Sequence, residues 1–135
     1  MRVHASAVNP SDVKSRGGLR AMPFPRVTPH SDGAGVIDRG GAGVDPARLG
    51  ERVWLWNAAW GRPGGTAAQY VALPSRQAVR LADSVGFEAG ACFGIPALTG
   101  LHAVQGWGGV AGQAVLVQGG AGAVGHYALQ FARRL

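Results

Sequence analysis

One cysteine, Cys92, and one lysine, Lys14, are the only residues of either type in the 135-residue chain. A lone thiol makes neither an internal disulfide nor a four-cysteine zinc site, which excludes a disulfide-stapled scaffold. No apolar run approaches the ~20 residues that a membrane-spanning helix requires. The opening MRVHASAVNPSD lacks the uninterrupted apolar core of a signal peptide. The expectation is a soluble cytoplasmic chain with no membrane partner. Acidic residues are also few, 7 against 13 basic ones, giving a net charge of +6. The arginines at 2, 16, 20, 26, 39, 48, 52, 62, 76 and 80 are nevertheless spread singly, and only Arg133 and Arg134 adjoin. Without a basic stripe interleaved with aromatics, the charge reads as a solvated surface and not as a nucleic-acid interface.

The chain is 47% hydrophobic and of single-domain length, enough to bury a core. Its 23 glycines and 8 prolines are scattered between apolar segments and read as turns. The first half predicts strands at Val3–Val8, Gly33–Asp38, Arg52–Trp56 and Ala67–Leu73, the pattern of a small barrel or sandwich. From Phe87 onward the period becomes helical. Two pieces are expected, Phe87–Gly94 and Pro96–Gln105, with Pro96 at the first position of the second, where its missing N–H costs nothing. GWGGVAGQ reads as a loop and Ala114–Gln118 as a fully apolar strand. A closing helix would place Val124, Tyr127 or Ala128, Phe131 and Leu135 on one face.

Between that strand and that helix lies GGAGAVG. Gly120, Gly122 and Gly125 satisfy G-x-G-x-x-G, and Gly119, Gly122 and Gly125 satisfy G-x-x-G-x-x-G. Alone the pattern is weak, but the flanking strand and helix supply the context of a dinucleotide site. Such a site needs one glycine for a tight turn, one for the close approach of a pyrophosphate and one for helix packing. The phosphates then rest on the helix N-terminus. No G-K-[ST] follows, so a phosphate-loop NTPase is excluded. The competing reading is a glycine-rich strand–turn–helix corner without a ligand.

VHASAVNPSDVKSRGG, PHSDGAGVI, LGERVWLW, GGTAAQYVALP, GIPALTGLHAV and VLVQGGAGAVG, in this order, resemble the medium-chain dehydrogenase/reductases. Within them the resemblance is to the zinc-free quinone oxidoreductase branch that includes zeta-crystallin. It implies a mixed β and α/β fold: a GroES-like β-barrel domain, residues 1–86, followed by the first strand and helix of a Rossmann dinucleotide-binding domain, residues 87–135. It also implies more barrel sequence before Met1 and the rest of the Rossmann domain after Leu135, so the chain is expected to be cut at both ends. The cofactor implied is NADPH. NADH stays open, because the residue that reads the ribose falls about 20 positions beyond the glycines, past Leu135. The glycine loop residues Gly120, Gly122, Ala123, Val124 and Gly125 would bind the pyrophosphate, and Thr99 would lie near the nicotinamide. For Thr99 the alternative is a helical threonine bonded to its own backbone.

At the positions where zinc-dependent relatives carry metal ligands stand Asn9 and Ser31 with Asp32. Asn and Ser are poor zinc ligands, so no zinc is expected. Without a Lewis acid, a substrate that spreads negative charge by conjugation is favoured, a quinone or α,β-unsaturated carbonyl. Asn9 and Asp12 resemble residues facing the active-site cleft and are the catalytic candidates. Asn9 also reads as the cap of a helix with Pro10 at its first position, and both roles remain open. Trp54, Trp56 and Trp60 read as an aromatic pocket or as barrel packing, Tyr70 as a strand residue and Cys92 as a small buried apolar side chain. Family members are often homodimers. The alternative is a non-catalytic barrel module that associates through an exposed strand edge.

Overall fold

Apolar and polar residues alternate along Arg2–Ala7, and the strand they form, β1, buries every second side chain in part. The computed structural model describes residues 1–19, 21–106 and 108–135. Arg20, one of the singly spread arginines, and Trp107, inside the GWGGVAGQ loop, lie outside the described residues. The chain forms two compact units, Met1–Gly94 and Ile95–Leu135. Among the described residues no helix is long and apolar enough to cross a membrane.

In the first unit, β1 is followed by helix α1 (Pro10–Arg16), strands β2 (Asp32–Val36), β3 (Arg52–Leu55) and β4 (Ala78–Arg80), and helix α2 (Phe87–Ala91). The strands form one antiparallel sheet in the order β1-β2-β3-β4. Sequence periodicity misses β4, whose three residues are too few to show alternation. The expected strand Ala67–Leu73 does not form as a unit. That segment touches the outer edge of β1 through a bridge between Arg2 and Tyr70 and through hydrogen bonds from Val3 N to Gln69 O and from Val71 N to Met1 O. The expected helix Phe87–Gly94 likewise ends at Ala91.

One residue decides which way β1 faces. Val3 pairs with Gly35 and Ala5 with Ala34, so His4 is left out of the ladder as a bulge. An inserted residue reverses the alternation. Val3 therefore packs with Ile37, Val53, Leu55, Ala58, Val71 and Ala78 on one face, whereas Ala5 and Ala7 pack with Ala34, Leu81 and Ala91 on the other. Gly35 makes the bulge sterically feasible, because a Cβ there would collide with the Arg2 carbonyl. Helix α2 covers the second face at close range. Gly90 lies where a Cβ would come within 2.8 Å of the Leu81 methyls.

The second unit contains helices α3 (Gly94–Gln105, entered from the last residue of the first unit) and α4 (Ala123–Arg134). Pro96 lies inside the first turn of α3 instead of at its first position, still among the N–H groups that need no intrahelical partner. The two helices cross at Gly100, where a Cβ would approach Ala128 N and Val124 O to 3.0 Å. Of the expected apolar face of α4, Ala128 is buried, Tyr127 and Phe131 half-buried and stacked, and Val124 and Leu135 exposed. The expected strand Ala114–Gln118 is not a strand. Ala114–Val117 carries no ladder among the described residues, and Leu116 is 95% exposed. Its apolar run signals a demand for burial, but a strand exists only where another backbone answers it.

Candidate functional site

Helix α1 starts where Asn9, extended at φ −106° and ψ 158°, hands the chain to Pro10 at the first helical position. The Asp12 carboxylate accepts the Asn9 backbone N–H at 2.8 Å, and Asp12 lies in the first turn, where the helix dipole favours a negative charge. Both catalytic candidates thus form the helix start. Asn9 is nonetheless buried, and its Nδ2 donates to Asp32 Oδ2 at 2.8 Å.

Asp32 is fully buried at the start of β2, opposite Ala7 of β1. Two residues beyond Ala7 comes Asn9, so strand register brings the pair together across 23 positions of sequence. Thr66, also fully buried, donates its hydroxyl to the Asp32 carbonyl at 2.6 Å. That hydroxyl lies 2.9 Å from Ser6 Oγ, which is 2.9 Å from His30 Nδ1. The Thr66 hydroxyl, whose closer acceptor is the Asp32 carbonyl and whose longer one is the His30 carbonyl at 3.5 Å, thus links Ser6 and His30 to the start of β2. His30 holds φ 73°, in the left-handed region, with its carbonyl accepting from Thr66 N. Substituting Thr66→Val keeps the volume and removes the hydroxyl. It should cost about 1–3 kcal/mol, because a buried polar group loses its partner. A urea titration with an unchanged midpoint would contradict this.

Gly94 completes the surroundings of the pair. A Cβ at this position would collide with the Asp32 carboxylate, so only glycine allows the backbone to pass there. Neither Thr66 nor Gly94 was singled out from sequence. Thr66 carries no signal of its own, whereas a glycine between two apolar helical pieces is a visible mark of close approach.

In the second unit the glycine cluster divides its labour. Gly119, at φ 75°, makes the tight turn. Gly125 packs so closely that a Cβ would collide with the Gly119 carbonyl. Gly122 is the N-cap of α4 at φ −79° and ψ 164°, with no side-chain cap, and the first turn of the helix carries no acidic residue. A Cβ on Gly122 would meet only Gly119 O, at 3.3 Å. His126 N bonds back to Gly122 O, which leaves the Ala123, Val124 and Gly125 amides ahead of the first intrahelical bond. An uncapped helix start free of negative charge, with open space at the capping glycine, fits a phosphate group. Gly120 packs instead toward Leu129, where a Cβ would come within 2.9 Å of a methyl.

The other singled-out residues are dispersed. Thr99 is exposed and donates its hydroxyl to Ile95 O at 2.6 Å, the pattern of a helical threonine bonded to its own backbone. Ser31 accepts from Ala58 N through its carbonyl. Trp54 is half-buried edge-on to Phe93, Trp56 half-buried, and Trp60 71% exposed. Arg62 braces the tryptophan loop by donating to Asn57 O, Ala58 O and Gln77 Oε1. Cys92, expected to be buried, is exposed, because it follows the last turn of α2 on the side away from the sheet-facing Gly90 and Ala91. Among the described residues no three His, Cys, Asp or Glu side chains gather into a group able to hold a metal. Of the residues at the positions where the resemblance puts metal ligands, Asn9 donates its amide to the Asp32 carboxylate, and neither the Asn9 amide nor the Ser31 hydroxyl is a good zinc ligand.

The alcohol dehydrogenase GroES-like domain family matches residues 1–83. The chain is 35% identical over 135 residues to a quinone oxidoreductase of Pongo abelii, covering 98% of this chain and 40% of the relative's length. An alcohol dehydrogenase superfamily protein from Novosphingobium aromaticivorans superposes with a TM-score of 0.89 at 31% identity, over 98% of this chain and 41% of that one. The cobalt- and zinc-bound thermostable alcohol dehydrogenase from Pyrobaculum aerophilum gives 0.84 at 29% identity, covering all of this chain and 48% of that one. Mycobacterial Rv1454c complexed with NADPH gives 0.83 at 28%, covering all of this chain and 41% of that one.

Proposed function

The chain belongs to the alcohol dehydrogenase GroES-like domain family, within the medium-chain dehydrogenase/reductase superfamily. On that premise we propose that it serves a zinc-free, NADPH-dependent oxidoreductase acting on a quinone or an α,β-unsaturated carbonyl. The observation that carries the reading is the uncapped, glycine-led start of α4. The amides of Ala123, Val124 and Gly125 hold the pyrophosphate there, beside Gly120 and Gly122, and Thr99 lies near the nicotinamide. In this reading residues 1–86 form the barrel domain, residues 87–135 begin the Rossmann domain, and the protein works as a cytoplasmic homodimer.

When bound, the dinucleotide supplies the hydride. The chain's own residues then bind and orient the acceptor. Asn9 offers an amide N–H to the acceptor oxygen, and Asp12 holds the Asn9 backbone in place. Ordered donors suffice for a conjugated acceptor, because its negative charge is spread over several atoms. The quinone oxidoreductase relative supports this substrate class, and the NADPH-bound neighbour supports the cofactor.

The test uses the intact protein that carries this sequence, purified from its own cells. NADPH oxidation dependent on added quinone is expected, with no zinc by elemental analysis. Zinc at one equivalent per chain, or quinone-independent behaviour at every concentration tried, would overturn the reading.

A further inference from the structure

We propose that Asp32 is a positioning residue for Asn9: its carboxylate fixes the direction of the Asn9 amide and leaves one Nδ2 hydrogen for the substrate oxygen. The inference rests on the reductase reading and adds to it the residue that sets the polarity of the donor. A side-chain amide has two faces of similar shape and opposite chemistry, an oxygen that accepts and a nitrogen that donates twice. A carboxylate only accepts. The 2.8 Å contact between Asn9 and Asp32 Oδ2 therefore runs from Nδ2, and it excludes the flipped amide, which would set two oxygens against each other. One amide hydrogen goes to Asp32 and the second remains.

Both ends of this hydrogen bond are anchored to backbone. Asp32 is 0% exposed, opposite Ala7 in the ladder, with its carbonyl held by Thr66 and its carboxylate backed by the bare Cα of Gly94. Asn9 is fixed as the cap of α1, with its own N–H on Asp12. The amide can rotate only by giving up this hydrogen bond.

Stability is a weak reason for a carboxylate here. Burying a carboxylate is costly, and apolar side chains of equal volume are often as stable or more so. What a carboxylate provides, and an isosteric amide does not, is a partner that cannot donate. An asparagine at 32 could face Asn9 with oxygen or with nitrogen, and Asn9 would then present either end to the ligand.

The test compares Asp32→Asn, Asn9→Ala and the double variant in the intact protein. Each single change should lower kcat/KM for the quinone by about tenfold or more, the scale of losing a placed donor. NADPH affinity should stay unchanged, and the double variant should be no worse than Asn9→Ala. Effects that multiply in the double variant, or an Asp32→Asn enzyme as active as the unmodified one, would overturn the proposal. A second readout does not depend on turnover. In the NMR spectrum of the unmodified protein, one Asn9 side-chain amide proton should be displaced downfield by the carboxylate, and Asp32→Asn should abolish the displacement. Its absence in the unmodified protein would also overturn the proposal. A protein that shows the displaced proton but reduces no quinone would overturn the reductase reading while the orienting contact stands.

Discussion

Replacing Gly122 by valine should weaken NADPH binding by about a hundredfold, ~2.7 kcal/mol, while α4 stays folded. The backbone at Gly122, φ −79° and ψ 164°, is extended and open to any residue. Its hypothetical Cβ touches only the Gly119 carbonyl, at 3.3 Å. The valine requires the Gly119 carbonyl to yield by a few tenths of an ångström, and the larger penalty falls on whatever must approach from the open side. Gly125 offers the opposite case. A Cβ there collides with the Gly119 backbone, so Gly125→Ala should disturb the turn itself and lower thermal stability as well as binding. Fluorescence titration with NADPH, paired with a thermal melt, separates the two. Equal NADPH affinity in Gly122→Val and in the unmodified protein would refute the phosphate assignment.

The largest effect on stability is expected at Leu55, fully buried on β3 among Val53, Ile37, Ala58, Val71 and Ala78. Truncation to alanine removes its transfer energy and leaves a cavity that the surrounding sheet cannot fill, a loss of about 2–5 kcal/mol. For a domain of this size the melting temperature should fall by roughly 10 °C. Leu116 is a control of the same residue type. At 95% exposure, its truncation should change stability by less than about 0.5 kcal/mol. If the two variants melt together, the core is wrongly placed.

Much of the first unit was legible because its signals are local. Pro10 after Asn9 marks the start of α1, and short apolar runs between glycine and proline turn signals mark three strands to within a residue or two. Where a feature depends on a distant partner, local pattern fails. Ala67–Leu73 and Ala114–Gln118 have the composition of strands, yet one contributes a single bridge at Tyr70 and the other no ladder among the described residues. β4 is the reverse, a strand that exists because β3 is beside it and not because AVR demands it. The candidate site divides in the same way. Asn9, Asp12 and Asp32 were all visible as positions of interest, but the bond from Asn9 to Asp32 depends on the β1–β2 register, which no local pattern encodes. Thr66 enters only through the fold.

The register itself depends on His4. With that residue left out of the ladder, Ala7 arrives opposite Asp32 on the face covered by α2, and Asn9 follows within reach of the carboxylate. In an evenly paired strand, every residue after position 4 would turn to the opposite side of the sheet. β1 thus behaves as two reading frames joined at one residue. Substitutions at Val3 and at Ala5 obey different rules although both positions are odd, and the amide at position 9 takes its direction from the second frame. For anyone redesigning this domain, the length of β1 is a stricter constraint than its composition. A changed side chain alters one contact, whereas a residue gained or lost at the bulge would exchange the two faces and dismantle the site with them.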